Sequence, residues 1–498
     1  MKPTPAAIAL FAFAASLALR LPTLAFLPPW GDEIITLHSI ALSPRELMLE
    51  RLDRMHAPTY FWLLQLLGLD GSRLFLLRLP SALADSLGAA LTALVAQRLG
   101  GWRAGFLLGL LYAAMPVLLE EAQDARPNAL FFGFLALILW AAARLVEHPR
   151  LAAAAFRRTG PRALRWTWAG AGLGAIGMVN MLPLGVFPVL AVDLAVLWLA
   201  RRPAYRPLLK PWLLHRVITL VLLAPLLYAF LRYVRPFVGH YWFSNSLPRL
   251  LSTLEISAGA GVEFDPDFFL GEAGNLALLV LFLLLVALGL LWARRRASLT
   301  IVVALAFGSQ VLLIAVSQHT SLYVVRYFAI ATPAMTLLAA VGIAGLLRRS
   351  MLAGPAAGTA ALALLLLQSL DAMHQLGKPR FDRAVAGLRE AGIERLIVHV
   401  ENNYLPRSVL YYLQDRPQGV QLSPWAAYLA ARNGALLWVV DHPWARVDPA
   451  WRLLVERGGL RSCRPEVPGV TILAIAGSAE DIAASCPLTA PGQAAATP

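Results

Sequence analysis

The chain carries a succession of apolar runs separated by short breaks rich in Arg, Pro or Gly, each run close to the ~20 residues a helix needs to cross a bilayer core. That pattern leaves little choice of fold. In lipid every backbone polar group must be bonded internally, so runs of this length have to be helices. Composition agrees, since 58% of the 498 residues are hydrophobic and only 14% are charged, against about 25% charged in an ordinary soluble domain. The formal charge of +14 does not point to nucleic acid, because the Arg residues fall in clusters between apolar runs and not on one polar face. The positive-inside rule accounts for that distribution. No small-residue cleavage site follows the first apolar stretch, which ends near Arg20 and Pro22, so it reads as a retained helix and not a removed signal peptide.

The basic clusters set the orientation. Arg98 with Arg103, Arg144 to Arg165, Arg201 to Arg216, Arg294 to Arg296, and Arg348 with Arg349 are assigned to the cytoplasm. Parity then predicts about eleven spans, at 6 to 26, 79 to 97, 104 to 121, 127 to 145, 166 to 181, 183 to 200, 212 to 231, 274 to 293, 299 to 317, 326 to 347 and 355 to 371. The N-terminus is cytoplasmic on this reading. Two short helices share 166 to 200 around Asn180 to Pro183, because one long helix there would turn the later Arg clusters to the wrong side.

The expected architecture is thus a polytopic α-helical membrane domain over 1 to 371, with long outward loops at 27 to 78 and 232 to 273. A small periplasmic α/β domain follows over 372 to 487, and 488 to 498 forms a polar, Pro-rich disordered tail. In the tail domain, Leu396 to Val400 and Ala435 to Val440 read as strands and 381 to 391 and 406 to 413 as helices. Cys463 and Cys486 both fall there, where an oxidising compartment would permit a bridge, though spacing alone does not decide it. The loop at 27 to 78 shows amphipathic patches near 34 to 50 and 59 to 69, suited to the interface. The loop at 232 to 273 interleaves aromatics from Phe237 to Phe243 with Arg232, Arg235 and His240. The sequence holds no Cys/His metal cluster and no Gly-x-x-x-x-Gly-Lys phosphate loop.

Charged groups near a span end are costly unless paired or functional, and those on the outward side form a short set: Asp32 and Glu33, His56 with Tyr60, Glu120, Glu121, Asp124 and Arg126, and His319 with Arg326 and Tyr327. An N-cap for a helix starting near Ile34 accounts for Asp32-Glu33 by itself. It is also compatible with a base, because a helix N-terminus keeps a carboxylate ionised. His56 to Tyr60 reads as a polar turn opening an apolar helix, or as contacts to a head group. At Gln123 to Pro127 three acids stand beside one Arg, more charge than a turn needs. Arg326 is an interfacial anchor or, as a planar fork, a partner for a lipid-linked phosphate.

In order, these residues resemble the C-type glycosyltransferases of the protein mannosyltransferase and lipid A aminoarabinose transferase type. Trp30-Gly31-Asp32-Glu33 matches the Trp-x-Asp-Glu motif of that family's first outward loop, and His56-Ala57-Pro58-Thr59-Tyr60 its His-Pro-Pro-x-Tyr motif. Leu77-Arg78-Leu79-Pro80, Ala125-Arg126-Pro127-Asn128-Ala129-Leu130, and Arg326-Tyr327 with Pro333 match three later segments. Ala57 stands where the family has Pro, and Asn128 where it usually has Tyr. The resemblance implies a C-type glycosyltransferase fold in the bacterial inner membrane and transfer of a sugar from a polyprenyl phosphate donor to a periplasmic acceptor. By it Asp32 would be the catalytic base with Glu33 beside it, and His56 and Asp124 would orient the acceptor or a divalent cation. Arg126 and Arg326 would bind the donor phosphate, and Tyr60 and Tyr327 would position the donor. The other classes open to such a chain are a lipid-linked sugar transporter or flippase, whose polar groups should line a path across the midplane, and a non-catalytic assembly subunit.

Overall fold

A computed structural model describes residues 2–53, 56–233, 254–260, 271–317, 329–374, 396–400, 436–441, 460–463, 471–477 and 482–483. The chain divides into two compact units. One contains Met1–Leu27 with Ser39–Gln375, and the other Pro28–His38 with Leu376–Pro498.

The first unit is helical. Thr4 opens α1 (Pro5–Arg20) by accepting the Ala7 amide at 3.2 Å, with Pro5 at the first helical position, where its missing N–H costs nothing. Three short helices follow: α2 (Gly31–Ile40), which straddles the two units, α3 (Pro44–Asp53) and α4 (Thr59–Leu66). Ser43 and Glu46 form a reciprocal capping box at the start of α3, with the Ser43 hydroxyl 2.6 Å from Glu46 Oε2 and the Ser43 amide at 3.1 Å. Those donors hold the Glu46 carboxyl below its usual value. Then come α5 (Leu74–Gly100), α6 (Trp102–Ala113), α7 (Pro116–Ala122) and α8 (Asn128–Glu147). Gly101 links α5 to α6 at φ +83°, a conformation only glycine adopts cheaply. After α9 (Pro149–Phe156) and α10 (Arg162–Met181), α11 (Val186–Ala200) and α12 (Arg206–Tyr233) form a hairpin. The later helices are α13 (Gly271–Ala293), α14 (Ala297–Val303), α15 (Ser309–Ser317), α16 (Thr332–Arg349) and α17 (Ala353–His374), with one π turn over Ala304–Gly308 between α14 and α15.

Among the described residues, nine helices are long and apolar enough to cross a membrane, or ten if α6 and α7 count as one bent span. Ten of the eleven expected spans correspond to these. The run at 104 to 121 is not one straight helix, because it breaks by 62° between Ala113 and Pro116. The stretch 166 to 181 is helical within α10, yet with its Arg-bearing first turn it does not join the set of apolar spans. Arg216, the last residue of the cluster that opens at Arg201, sits inside α12, within the expected span 212 to 231. There its Nε lies 2.6 Å from Asp193 and its guanidinium stacks on Trp212.

Helices α1, α5, α6 and α8 pack side by side, α10 covers α8, and α16 runs against α5, α6 and α13. One end of this bundle is basic. Arg98 lies 2.6 Å from Glu147, which also accepts from Ser298 at 3.0 Å, and Arg348 donates to the Gly100 carbonyl. Arg349 stacks on Trp292 and Arg201 on Trp198, as expected of side chains at a membrane surface. The outward faces of α11 and α12 expose Leu190, Leu194, Leu213, Val217 and Val221, a surface that suits lipid.

In the second unit the described strands are β1 (Leu396–Val400), β2 (Leu436–Asp441), β3 (Arg461–Cys463) and β4 (Thr471–Ala476). They form one sheet in the order β1-β2-β4-β3, with β1 parallel to β2 and the other pairs antiparallel. Both expected strands are present, and Cys463 ends β3. The expected helices at 381 to 391 and 406 to 413, and Cys486, lie outside the described residues.

Candidate active site

The end of the helical unit opposite the basic one holds a group of buried polar side chains. Leaving α1, the chain makes one 3-10 turn over Leu21–Thr23, and the buried Arg78 of α5 donates to the carbonyls of Leu24 at 2.8 Å and Leu27 at 3.0 Å. A helix turn later, Ser81 reaches the Arg126 carbonyl at 3.4 Å, and Gln123 donates to the Thr23 hydroxyl. The turn Gln123 to Pro127 is thereby fixed from α1 and α5 at once. Asp124 and Arg126 are buried within it and Glu121 is buried at the end of α7 just before it, whereas Glu120 is half-buried. Glu121 accepts from Asn128 Nδ2 at 2.6 Å. Three ionisable groups held in six residues of helix end and turn form a compact polar site at the end of an apolar bundle. A guanidinium in such a place is suited to an anion.

His56 and Tyr60 enter from the segment before α4. The His56 amide bonds the Arg51 carbonyl at 2.8 Å and its side chain is half-buried. Tyr60 is fully buried, edge-on to Phe61 at 5.5 Å. Thr59 ties α4 to the C-terminal end of α10 through Asn180 at 3.0 Å. Arg51 pairs in a fork with Glu50 and lies over the Phe61 ring. In the other unit, Asp32 and Glu33 stand in the first turn of α2 and are buried, Glu33 completely. The helix begins at Gly31, so Asp32 is its second residue and not a cap at Ile34. Thr36 donates to the Asp32 carbonyl at 3.2 Å. His319, Arg326, Tyr327 and the aromatic stretch 237 to 243 lie outside the described residues.

Sequence reasoning missed a second buried group behind this site. Arg20 Nε lies 2.6 Å from Asp85 Oδ2, and both are fully buried. Asp85 also accepts from Tyr112 at 3.1 Å and Ser16 at 3.5 Å. The signal was available, since an acid in the middle of an apolar run demands a partner. Arg78 stood inside a quoted motif, but its carbonyl partners leave no trace in sequence. Among the described residues no group of three His, Cys, Asp or Glu side chains converges as a metal ion requires.

No family model matches the sequence, and no curated protein matches it. The fold does have solved counterparts. ArnT from Cupriavidus metallidurans in the apo state superposes with a TM-score of 0.55 at 16% identity, covering 96% of this chain and 98% of that one. ArnT from the same organism bound to undecaprenyl phosphate gives 0.53 at 16% identity, over 97% and 98%. The correspondence runs nearly end to end, and the chain has the C-type glycosyltransferase fold that its ordered motifs anticipated.

Proposed function

We propose that this protein is a multi-pass bacterial inner-membrane glycosyltransferase that takes a sugar from a polyprenyl phosphate donor and passes it to a periplasmic acceptor. The observation that carries this reading is the fold shared, over almost the whole chain, with ArnT bound to undecaprenyl phosphate. The buried turn bearing Asp124 and Arg126 supports it, because a guanidinium at the end of an apolar bundle is suited to an anionic group.

In the proposed reaction the Asp32 carboxylate takes the proton of an acceptor hydroxyl as its oxygen attacks the anomeric carbon. The bond from that carbon to the phosphate oxygen breaks, and polyprenyl phosphate leaves with the electron pair. Arg126 and Arg326 hold the phosphate and offset the charge that develops on it. Glu33, His56 and Asp124 orient the acceptor or would hold a divalent cation, and Tyr60 and Tyr327 steady the donor. The site end then faces the periplasm and the basic end the cytoplasm.

The test is labelled-sugar transfer from a polyprenyl phosphate donor by the purified protein. Asp32→Asn should lower turnover by about 10²–10⁴-fold while undecaprenyl phosphate still binds, and Arg126→Ala should lose that binding. Full transfer by Asp32→Asn would remove the base assignment, and unchanged binding by Arg126→Ala would remove the phosphate site.

A further inference from the structure

The break between α6 and α7 is an unusual object for a membrane bundle. Pro116 brings no amide hydrogen, and the two helices meet at 62°. Across the bend, Met115 still bonds Tyr112 and Leu119 bonds Met115, but among the described residues no backbone amide reaches the carbonyls of Ala113 or Ala114. In hydrocarbon such orphaned carbonyls are costly unless a neighbour supplies a donor.

Each carbonyl has one. Arg20 Nη1 on α1 lies 3.3 Å from the Ala113 oxygen, and the Ser369 hydroxyl on α17 lies 2.6 Å from the Ala114 oxygen. Both side chains are buried, Arg20 completely. The Arg20 charge is balanced by Asp85 on α5, and Asp85 is bonded in turn by Tyr112, which stands just before the bend. Gly88 leaves room for that phenol, since a Cβ there would sit 3.0 Å from the Tyr112 oxygen. The bend is therefore gripped from α1, α5 and α17.

What the bend carries gives the grip its meaning. Helix α7 has seven residues, Pro116–Ala122, too few to hold a direction alone, and it leads straight into Asp124 and Arg126. We propose that Arg20 and Ser369 are positioning residues. By taking the two carbonyls freed at the bend they set the angle of α7, and so place Asp124 and Arg126 for the donor phosphate. This rests on the glycosyltransferase reading above.

The discriminating substitution is Arg20→Lys. An ammonium keeps the charge that Asp85 needs but lacks the planar fork that reaches Asp85 and the Ala113 carbonyl together. Ser369→Ala removes the other donor without touching any charge. Undecaprenyl phosphate affinity, thermal midpoint and hydrogen–deuterium exchange should be measured for both variants, wild type and Arg126→Ala. Expected are a fall in affinity of about tenfold for Arg20→Lys and somewhat less for Ser369→Ala, faster exchange confined to residues 114–126, and a lowered midpoint with a single cooperative transition retained. Wild-type affinity and exchange in both variants would overturn the inference, as would exchange accelerated evenly through the bundle, which marks a merely structural pair. Failure of wild type to bind undecaprenyl phosphate would instead overturn the functional reading. The exchange pattern would still decide whether the two residues hold the bend.

Discussion

Asn128 donates its amide to Glu121 at 2.6 Å across the turn that separates α7 from α8. Asn128 opens α8 directly after Pro127, and Glu121 is one residue from the end of α7, so the bond closes the turn that holds Asp124 and Arg126. The family pattern has Tyr at this position, and the structure gives the smaller amide a specific task. Asn128→Asp would set two carboxylates against each other and should loosen the turn, at a cost of about 1–3 kcal/mol. A lowered thermal midpoint with a weaker donor affinity is the expected result. Asn128→Asp behaving as wild type in both would mean the bond does not shape the turn.

Arg78 presents one guanidinium nitrogen to two carbonyls, those of Leu24 and Leu27. It fixes the path by which the chain leaves α1. Charge-assisted bonds of this kind are worth about 1.5–3 kcal/mol each to break when buried, so Arg78→Ala should be among the more damaging single changes outside the acidic residues. Arg78→Lys keeps the charge on a flexible stem and should recover part of the loss. Limited proteolysis near residues 21–27 checks it, with Arg78→Ala cut fastest and Arg78→Lys intermediate.

How much of this was legible in the sequence depends on the range of the interaction involved. Apolar runs mark helices because lipid burial acts on each segment alone, and the β-branched stretches at Leu396 and Leu436 mark strands for a similarly local reason. The basic end was legible too, since Arg98, Glu147, Ser298 and Arg348 do converge. The bend was not, because hydropathy is blind to backbone direction and Pro116 was its only local sign. Arg20 and Asp85 are separated by 65 residues in sequence, and nothing short of packing α1 against α5 tells them apart from stray charges. The start of α2 was misplaced by the same limitation: acids near an N-terminus fit a cap or a first turn equally well.

Two glycines decide how closely α13 and α16 approach. A Cβ on Gly342 would collide with the Leu285 carbonyl, and one on Gly289 with that of Leu338. Both obstacles are backbone, which cannot swing aside. Small residues at such crossings are how helices associate in lipid, where no hydrophobic drive operates between them. Gly342→Ala should cost at least about 1–3 kcal/mol and lower the yield of monodisperse protein. Size-exclusion profiles of Gly342→Ala beside Gly308→Ala give the comparison, because the nearest atoms around a Cβ at Gly308 are side-chain methyls at 3.7 and 3.9 Å. Equal profiles for the two variants would contradict the close-packing account.

The proposed orientation makes a prediction that needs no ligand. Ser72 is exposed in the turn before α5, where Asp70 accepts both its amide and its hydroxyl and is held below the usual carboxylate range by them. Thr159 is exposed in the turn between α9 and α10, just beyond the Glu147 end of α8. The first turn belongs to the site end and the second to the basic end. Single cysteines at these positions, in a chain with Cys463 and Cys486 replaced by Ser, should therefore differ in access. A membrane-impermeant maleimide should label Ser72→Cys in cells whose outer barrier alone is opened, and Thr159→Cys only after the inner membrane is broken. The reverse pattern would place the buried Asp124 and Arg126 turn on the cytoplasmic side. Labelling of both from one side would break the parity of the spans between them, and with it the orientation on which a periplasmic acceptor depends.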